Sequence, residues 1–294
     1  VDVANRRVRA QAGVTWGEFN RATQQHGLAT TGGAVSSTGV AGLTLGGGFG
    51  FLMGKYGYTI DSLCSAEMVT VSGEVVDASA HQNAELFWGL RGGGGNFGVV
   101  TSFEFQLHPV GPEVQGGMVA HPFDDAEKVL QRFRQFCDES EDERTMLASL
   151  THASDGSGEK RAALLACHCG EAEKAQASLA EVKAFGRPLI DGIGQIDYCS
   201  INQMLDAGFP KQALNYWKSC FLDTLSDPVI EILIRQFASC PSTMGKLVVE
   251  NFQGAALQVP STATAFPHRQ AGYSILIIAQ WLEADESARN IDWA

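Results

Sequence analysis

The chain divides by its pattern of apolar and polar positions into a strand-rich first third and a longer part where helical stripes and strands take turns. Val8-Arg-Ala-Gln-Ala12 reads as a short strand. Thr15-Trp-Gly-Glu18 follows with the spacing of a capping box, which predicts a helix that ends near Gly27. Glu67-Met-Val-Thr-Val71 and Glu74-Val-Val-Asp77 flank Ser72-Gly73 and predict a hairpin. Val99, Thr101, Phe103, Phe105 and Leu107 alternate with more polar neighbours, the signature of a strand with one buried face. Pro109 to Pro122 is expected to be a crossing between two lobes.

Beyond it, Ala126, Val129, Leu130, Phe133 and Cys137 form one stripe of a helix over Asp124 to Cys137. Strand-like runs follow at Met146 to His152, Arg161 to His168, Lys246 to Phe252 and Tyr273 to Leu282. Helices are expected near Glu171 to Phe185 and Asp227 to Ser239, and the chain stops at Trp293-Ala294 inside a helical pattern. The economical assembly is α+β: a first lobe with a mixed or antiparallel sheet and helices, and a second lobe with an antiparallel sheet backed by helices.

Composition narrows the function. The 294 residues are 45% hydrophobic and 18% charged, which suits a folded globule rather than a disordered chain. A net charge of −12 argues against a nucleic-acid partner, since such binding is carried by clustered Lys and Arg. No apolar run reaches the roughly 18 residues needed to span a bilayer, so no membrane role is expected. The N-terminus carries no signal-like pattern; a cytoplasmic location is the default, with secretion left open because processing upstream of Val1 would be invisible. The seven cysteines are scattered, with no CxxC spacing, and read as reduced thiols. In Cys167-His168-Cys169 the strand alternation sends neighbours to opposite faces, so the triplet cannot close a metal site alone, and no metal is expected.

Glycine is the unusual signal. Ten of the 33 glycines lie between Gly32 and Gly57 and six more between Gly89 and Gly98. Such density lets main chain approach a bulky ligand and present N–H donors free of Cβ atoms. Two nucleotide folds are disfavoured. Gly93-Gly-Gly-Asn-Phe-Gly98 matches GxGxxG, but it follows a helical run and precedes a strand, the reverse of the Rossmann order. Gly46-Gly-Gly-Phe-Gly50 lacks the Lys-Ser/Thr ending of a P-loop.

Three stretches carry a longer pattern: Thr31-Gly-Gly-Ala-Val-Ser-Ser-Thr-Gly-Val-Ala-Gly-Leu-Thr-Leu-Gly-Gly-Gly-Phe-Gly50, Lys55-Tyr-Gly57 with Asp61, and Glu85-Leu-Phe-Trp-Gly-Leu-Arg-Gly-Gly-Gly-Gly-Asn-Phe-Gly-Val-Val100. Together they resemble the berberine bridge enzyme-like branch of the vanillyl-alcohol oxidase type of FAD-linked oxidases, from Trp16 through Pro109. Thr264-Ala-Phe-Pro-His-Arg269 resembles that family's substrate lobe. The resemblance implies residues 1–112 as the second part of an FAD-binding domain of the PCMH type and 113–294 as a substrate-binding domain incomplete at its C-terminus.

It further implies FAD contacts at Gly33, Ala34, Val35, Ser37, Thr38, Gly39, Gly42, Leu43 and Gly50, with Gly98 and Val99 holding the adenosine end. Relatives tether FAD through a histidine in an upstream Arg-Ser-Gly-Gly-His loop, absent here, so any covalent link is expected through a histidine outside this chain. Val35 stands where some relatives add a cysteine link. The family's closing Asn-Tyr segment would lie beyond Ala294, and truncation at both ends is the expectation.

The implied activity is hydride transfer from a small hydroxyl- or amine-bearing substrate to flavin, then to oxygen or another acceptor. Thr38 occupies a position where relatives vary in oxygen reactivity. The strand from Tyr273 to Trp281 should offer Ser274, Leu276 and Ile278 to the substrate, but Leu276 stands where relatives place a polar catalytic group, and leucine cannot accept a proton. Phe49 is a candidate aromatic wall and Glu250 a candidate base. Arg269 and His268 are expected to fix the lobe rather than touch substrate. The competing reading is a non-catalytic or cofactor-free binding remnant of the same fold. Oligomeric state is not legible.

Overall fold

The computed structural model describes residues 1–139 and 141–294. The first strands form a sheet of four, in the order β1 (Arg7–Gln11), β5 (Val99–Gln106), β3 (Leu63–Val69), β4 (Val75–Ser79). Every pairing in it is antiparallel. A short pair, β2 (Leu28–Ala29) with β6 (His108–Pro109), closes its base. The Thr15 capping box forms as read: Thr15 Oγ1 accepts from the Glu18 amide and the Glu18 carboxylate accepts from the Thr15 amide, starting the helix Trp16–Gln24. Trp16, Phe19, Phe103 and Phe105 anchor the core of this lobe.

The alternation read along Val99–Leu107 holds only in part. Phe103, Phe105 and Leu107 point inward, but Val100 and Ser102 are buried while Val99 and Thr101 face solvent. The ladder with β3 skips between Ser102 and Val100, and an extra residue at such a bulge turns the remaining side chains to the other face.

The second sheet runs β10 (Ile190–Asp191), β7 (Glu113–Pro122), β9 (Lys160–His168), β8 (Arg144–His152), β13 (Lys246–Phe252), β14 (Gly272–Trp281), β12 (Leu214–Leu222), with β11 (Gly194–Asp197) also paired to β7. The segment expected as a crossing is therefore mostly a ten-residue strand, β7. Its pattern is hidden by Gly116 and Gly117, where an added Cβ would strike the side chain of Ile201 and the backbone of Gly192. Strand β12 also escaped prediction. It is the sheet edge, exposed along nearly its whole length, and an edge with no buried face writes no alternation.

Helices Ala126–Asp138, Ala172–Ala184 and Asp227–Ala238 cover one face of this sheet, burying Val129, Phe133, Leu179, Leu233 and Phe237 against Leu247, Val249, Tyr273 and Ile275. At roughly 25 cal/mol per Å² of apolar surface, this core is the main stabilising mass of the lobe. The alternate residues of β13 and β14 consequently point the other way, toward the glycine-rich segment of the first lobe. Ala34, Phe51, Leu52, Leu147, Tyr198 and Ile201 pack together there and join the two lobes.

Among the described residues no helix is long and apolar enough to cross a membrane. Cys167 packs with Phe51 and Tyr198, whereas the His168 ring turns to Glu141 at 3.3 Å.

Candidate active site

The glycines from 32 to 50 serve two purposes. Gly32 lies flat against the Trp16 indole, Gly50 against the Gly32 carbonyl, and Gly48 against Thr59; at each, a Cβ would collide. Gly47 and Gly48 also have φ of +113° and +84°, which side chains rarely tolerate. Gly39 and Gly42 differ. Gly39 has φ −70° and Gly42 sits in the short helix Val40–Leu45, and a Cβ at either would meet nothing within 4 Å. Folding does not require glycine at these two positions.

The backbone around them has donors without acceptors. Thr38 N–H is paired to Val35 O, Val40 N–H to Val14 O and Leu43 N–H to Gly39 O. Within the described residues the N–H groups of Gly33, Ala34, Val35, Ser37, Gly39 and Gly42 have no partner. Of these, Gly33 is buried, Ala34 and Val35 are half-buried, and Ser37, Gly39 and Gly42 are exposed; open N–H groups beside bare glycines can receive carbonyl or phosphate oxygens. Gly94 N–H reaches Leu45 O at 2.9 Å, which brings the second glycine cluster against the end of the first. Gly98 and Val99 open β5 beside Val69, with Val99 exposed.

The segment is held from both lobes. Trp16 N–H donates to Thr38 O and Gly17 N–H to Ser36 O, at 2.9 and 2.8 Å. From the second lobe, Asp206 accepts from the Ser36 amide at 2.8 Å and from its hydroxyl at 2.5 Å.

The face of the sheet turned away from the three long helices presents Ser274, Leu276 and Ile278 from β14, with Lys246, Val248, Glu250 and Phe252 from β13 paired beside them; the short helices Met53–Tyr56 and Tyr198–Ile201 pack on the same side. Ser274 and Ile278 are buried and Leu276 is half-buried. Glu250 lies directly across from Ser274 on one side and Leu147 on the other. Its Oε2 is sealed from solvent without a partner. Burial pushes its carboxyl up to about 7, opposed in part by a hydrogen bond from Ser274. Lys246 donates to Gly208 O at 2.8 Å and sits 4.2 Å over the Phe209 ring; burial pulls its amine down to about 8. Shifts of this kind concentrate where chemistry is done.

Phe49 is half-buried in an aromatic group with Tyr58, Phe252 and Phe266, its ring 5.1 Å from Tyr58 and 5.3 Å from Phe252. The Tyr58 hydroxyl donates to His268 O at 3.0 Å, and burial raises its pKa. Arg269 pairs with Asp61, and the His268 ring stacks on Phe221 at 3.7 Å. Val35, Ser37 and Thr38 share a cleft of about 470 Å³ with Trp217 and Gln280 of the sheet and Phe209 and Lys211 of the preceding loop. The glycine segment and the second sheet thus meet at one opening. Sequence reasoning did not find Ser36, Asp206, Lys246, Trp217 or Gln280. They are single polar or aromatic residues with no motif around them, and only the folded sheet and the packing of Ser36 against Asp206 bring them together.

Residues 1–79 match the family model described as an FAD binding domain. Along 99% of its length the chain is 28% identical to an FAD-linked oxidoreductase of Dictyostelium discoideum, covering 63% of that protein. Along its whole length it is 28% identical to (R)-6-hydroxynicotine oxidase of Paenarthrobacter nicotinovorans, covering 66% of it. The crystal structure of 6-hydroxy-D-nicotine oxidase from Arthrobacter nicotinovorans superposes with a TM-score of 0.82 at 26% identity, over 99% of this chain and 66% of that one. The berberine bridge enzyme-like protein 28 of Arabidopsis thaliana shares the fold, with a TM-score of 0.85 at 24% identity over 100% of this chain and 64% of the other. Residues 1–79 are thus similar to FAD-binding sequence, and along its length the chain is similar to FAD-linked oxidoreductases. It spans slightly under two-thirds of the length of these full-length relatives.

Proposed function

We propose that the protein of which this chain is part is an FAD-dependent oxidoreductase that takes a hydride from a small hydroxyl- or amine-bearing substrate and passes the electrons to oxygen or another acceptor. The observation that supports this reading is the run of unpaired N–H donors between Gly33 and Gly42, in a segment whose Val35, Ser37 and Thr38 share a cleft with Trp217 and Gln280 of the second sheet. Gly33, Ala34, Val35, Ser37, Thr38, Gly39, Gly42, Leu43 and Gly50 would hold the ring carbonyls and pyrophosphate, and Gly98 and Val99 the adenosine end, largely through backbone atoms. When bound, FAD supplies the two-electron acceptor that no side chain can provide.

The protein's own groups supply the rest. Phe49 closes one side of the ring site, and Leu276 and Ile278 keep water from the reacting carbon. Leu276 cannot take the substrate's proton, but Glu250, on the adjacent strand of the same face, can. A carboxyl poised near neutrality is suited to general-base work, which contributes about 10²–10⁴-fold in rate. Residues 113–294 form the substrate side in this reading, and the covalent link, where there is one, comes from a histidine outside this chain.

The test is a visible spectrum of the protein purified from its complete reading frame. Flavin bands are expected, and their survival in acid-precipitated protein reports a covalent bond. A colourless preparation leaves the alternative, a cofactor-free binding remnant.

A further inference from the structure

Lys246 is an ionisable side chain on the site face of β13 that the proposed chemistry leaves unused. It stands across the ladder from Ile278, on the same face of the strand as Glu250. Burial pulls its amine down to about 8, with no carboxylate among the described residues offsetting that shift. Its contacts are instead with one short loop. Nζ donates to Gly208 O at 2.8 Å and lies 4.2 Å over the Phe209 ring. Gly208 is bare where the ammonium meets it; a Cβ there would stand 3.2 Å from Nζ. Half-buried and without a counter-ion, the ammonium is held by these two contacts, a charge-assisted hydrogen bond and a cation–π pair.

The loop they grip begins after Leu205, which packs beside Leu147 and Ala163. Its own backbone bonds are local: Gly208 N–H reaches Leu205 O and Phe209 N–H reaches Asp206 O, each at 3.0 Å. Bonds of that span shape a turn without fixing where it sits. Its position is fixed by contacts of longer reach. Asp206 accepts from the amide and hydroxyl of Ser36 in the first lobe, Lys246 holds Gly208 and Phe209 from β13, and the Phe209 ring stands 5.5 Å from that of Trp217. Ala207 alone separates the carboxylate on Ser36 from the carbonyl on Lys246, and all three residues belong to one 3₁₀ turn, Asp206–Gly208. A single turn this short shifts as a unit.

We propose that Lys246 is a positioning residue for the Val35–Thr38 segment: by holding the Asp206–Gly208 turn to β13, it keeps the Asp206 carboxylate on Ser36. The strand that carries Glu250 and the segment with open N–H donors are thereby tied through one turn, and Lys246 and Asp206 together set the spacing between them. An uncharged side chain at position 246 frees the turn, so that Asp206 shares its oxygens with water and the Ser36 amide opens. That this segment borders a flavin rests on the reading above; the tie itself does not.

The experiment follows amide hydrogen exchange in the full-length protein, on peptides covering Val35–Thr38, with Arg161–His168 of β9 as the reference for general loosening. Lys246→Met should speed exchange at Val35–Thr38 about fivefold, the effect of losing one hydrogen bond of ordinary strength, and leave the β9 peptide unchanged. Asp206→Ala should speed the same peptide at least as much, and adding Lys246→Met to it should do nothing more, because the turn is already off Ser36. Lys246→Arg, which keeps a donor and a cation over the Phe209 ring, should restore most of the protection. An unchanged Val35–Thr38 peptide in Lys246→Met, effects of the two substitutions that multiply, an equal rise in β9, or an Arg variant no better than Met would each overturn the proposal. The visible spectrum separates the two readings. A colourless wild type with the coupling intact defeats only the flavin reading, whereas a yellow protein without the coupling defeats only this inference.

Discussion

Arg269 donates from Nη1 and Nη2 to the two carboxylate oxygens of Asp61, at 2.7 Å each, across 208 residues of sequence. Asp61 belongs to the glycine-rich lobe and Arg269 to the loop before β14, so the pair fastens one lobe to the other. The same carboxylate accepts from the Tyr58 amide at 2.8 Å, and the guanidinium lies 4.7 Å from the Tyr58 ring centre. Gly57 lies close enough to Asp61 that a Cβ there would crowd the carboxylate.

Because the Arg269 side chain is 1% exposed and that of Asp61 9%, removing one partner strands a charge that water cannot reach. Arg269→Met or Asp61→Leu should each cost about 3–5 kcal/mol in denaturant unfolding. The double variant should cost much less than the sum of the two, since it removes the stranded charge. Additive losses would show that the two residues act separately.

The bond between Ser36 and Asp206 joins the Val35–Thr38 segment, which in the flavin reading borders the cofactor, to the loop that leads to Trp217. Hydrogen bonds to a charged acceptor contribute roughly 1.5–3 kcal/mol each. Asp206→Ala should therefore loosen Val35–Thr38 and weaken FAD retention by about tenfold, in the full-length protein, without unfolding it. Ser36→Gly, which keeps the amide donor, should have the smaller effect. Equal FAD retention in wild type and Asp206→Ala, measured by flavin fluorescence after dilution, counts against a positioning role.

Much of this arrangement was legible in the residues, and the rest was not for identifiable reasons. The Thr15 box, the hairpin around Ser72-Gly73 and the stripe of Ala126–Cys137 are local codes, and each element formed within a few residues of its expected place. Strand β7 was obscured because glycines placed for close approach erase alternation, and β12 because an edge has no buried side to mark it. The bulge between Ser102 and Val100 inverted half of an otherwise correct strand. For the site, the glycine pattern led to the expectation of a ligand cradle, since bare main chain is a property of residue type. The Asp206 contact with Ser36 arises from lobe packing, which no short motif encodes.

Gly42 gives a test in which stability and ligand binding move in opposite directions. It lies inside the helix Val40–Leu45, exposed, with nothing near a prospective Cβ. Gly42→Ala should stabilise the apoprotein by about 0.5–1 kcal/mol, the usual gain on replacing a helical glycine. In the flavin reading the added methyl occupies ligand space, so FAD retention should fall by tenfold or more. Gly50→Ala is the contrast, because its Cβ would collide with the Gly32 carbonyl and overpacking of this kind costs upward of 1–3 kcal/mol. If Gly42→Ala leaves FAD retention unchanged, this part of the chain does not touch the cofactor.

Glu250 gives the pH dependence, and the sign can be worked out. Its folded-state carboxyl is raised to about 7 from the ordinary 4.5, so the native state holds a proton over that interval that the unfolded state has released. Stability associated with this group is fully present below about 4.5 and is lost as pH rises through about 7. Glu250→Gln should flatten the fall in unfolding free energy across that window, compared with wild type in matched buffers. Catalysis should run the other way, because a general base works only when ionised: kcat/KM should climb through an apparent pKa near 7 to a plateau above it. In Glu250→Gln the plateau should drop by about 10²–10⁴-fold and the rising limb should vanish. Retention of that limb in the variant would assign the ionisation, and the proton transfer, to a different group.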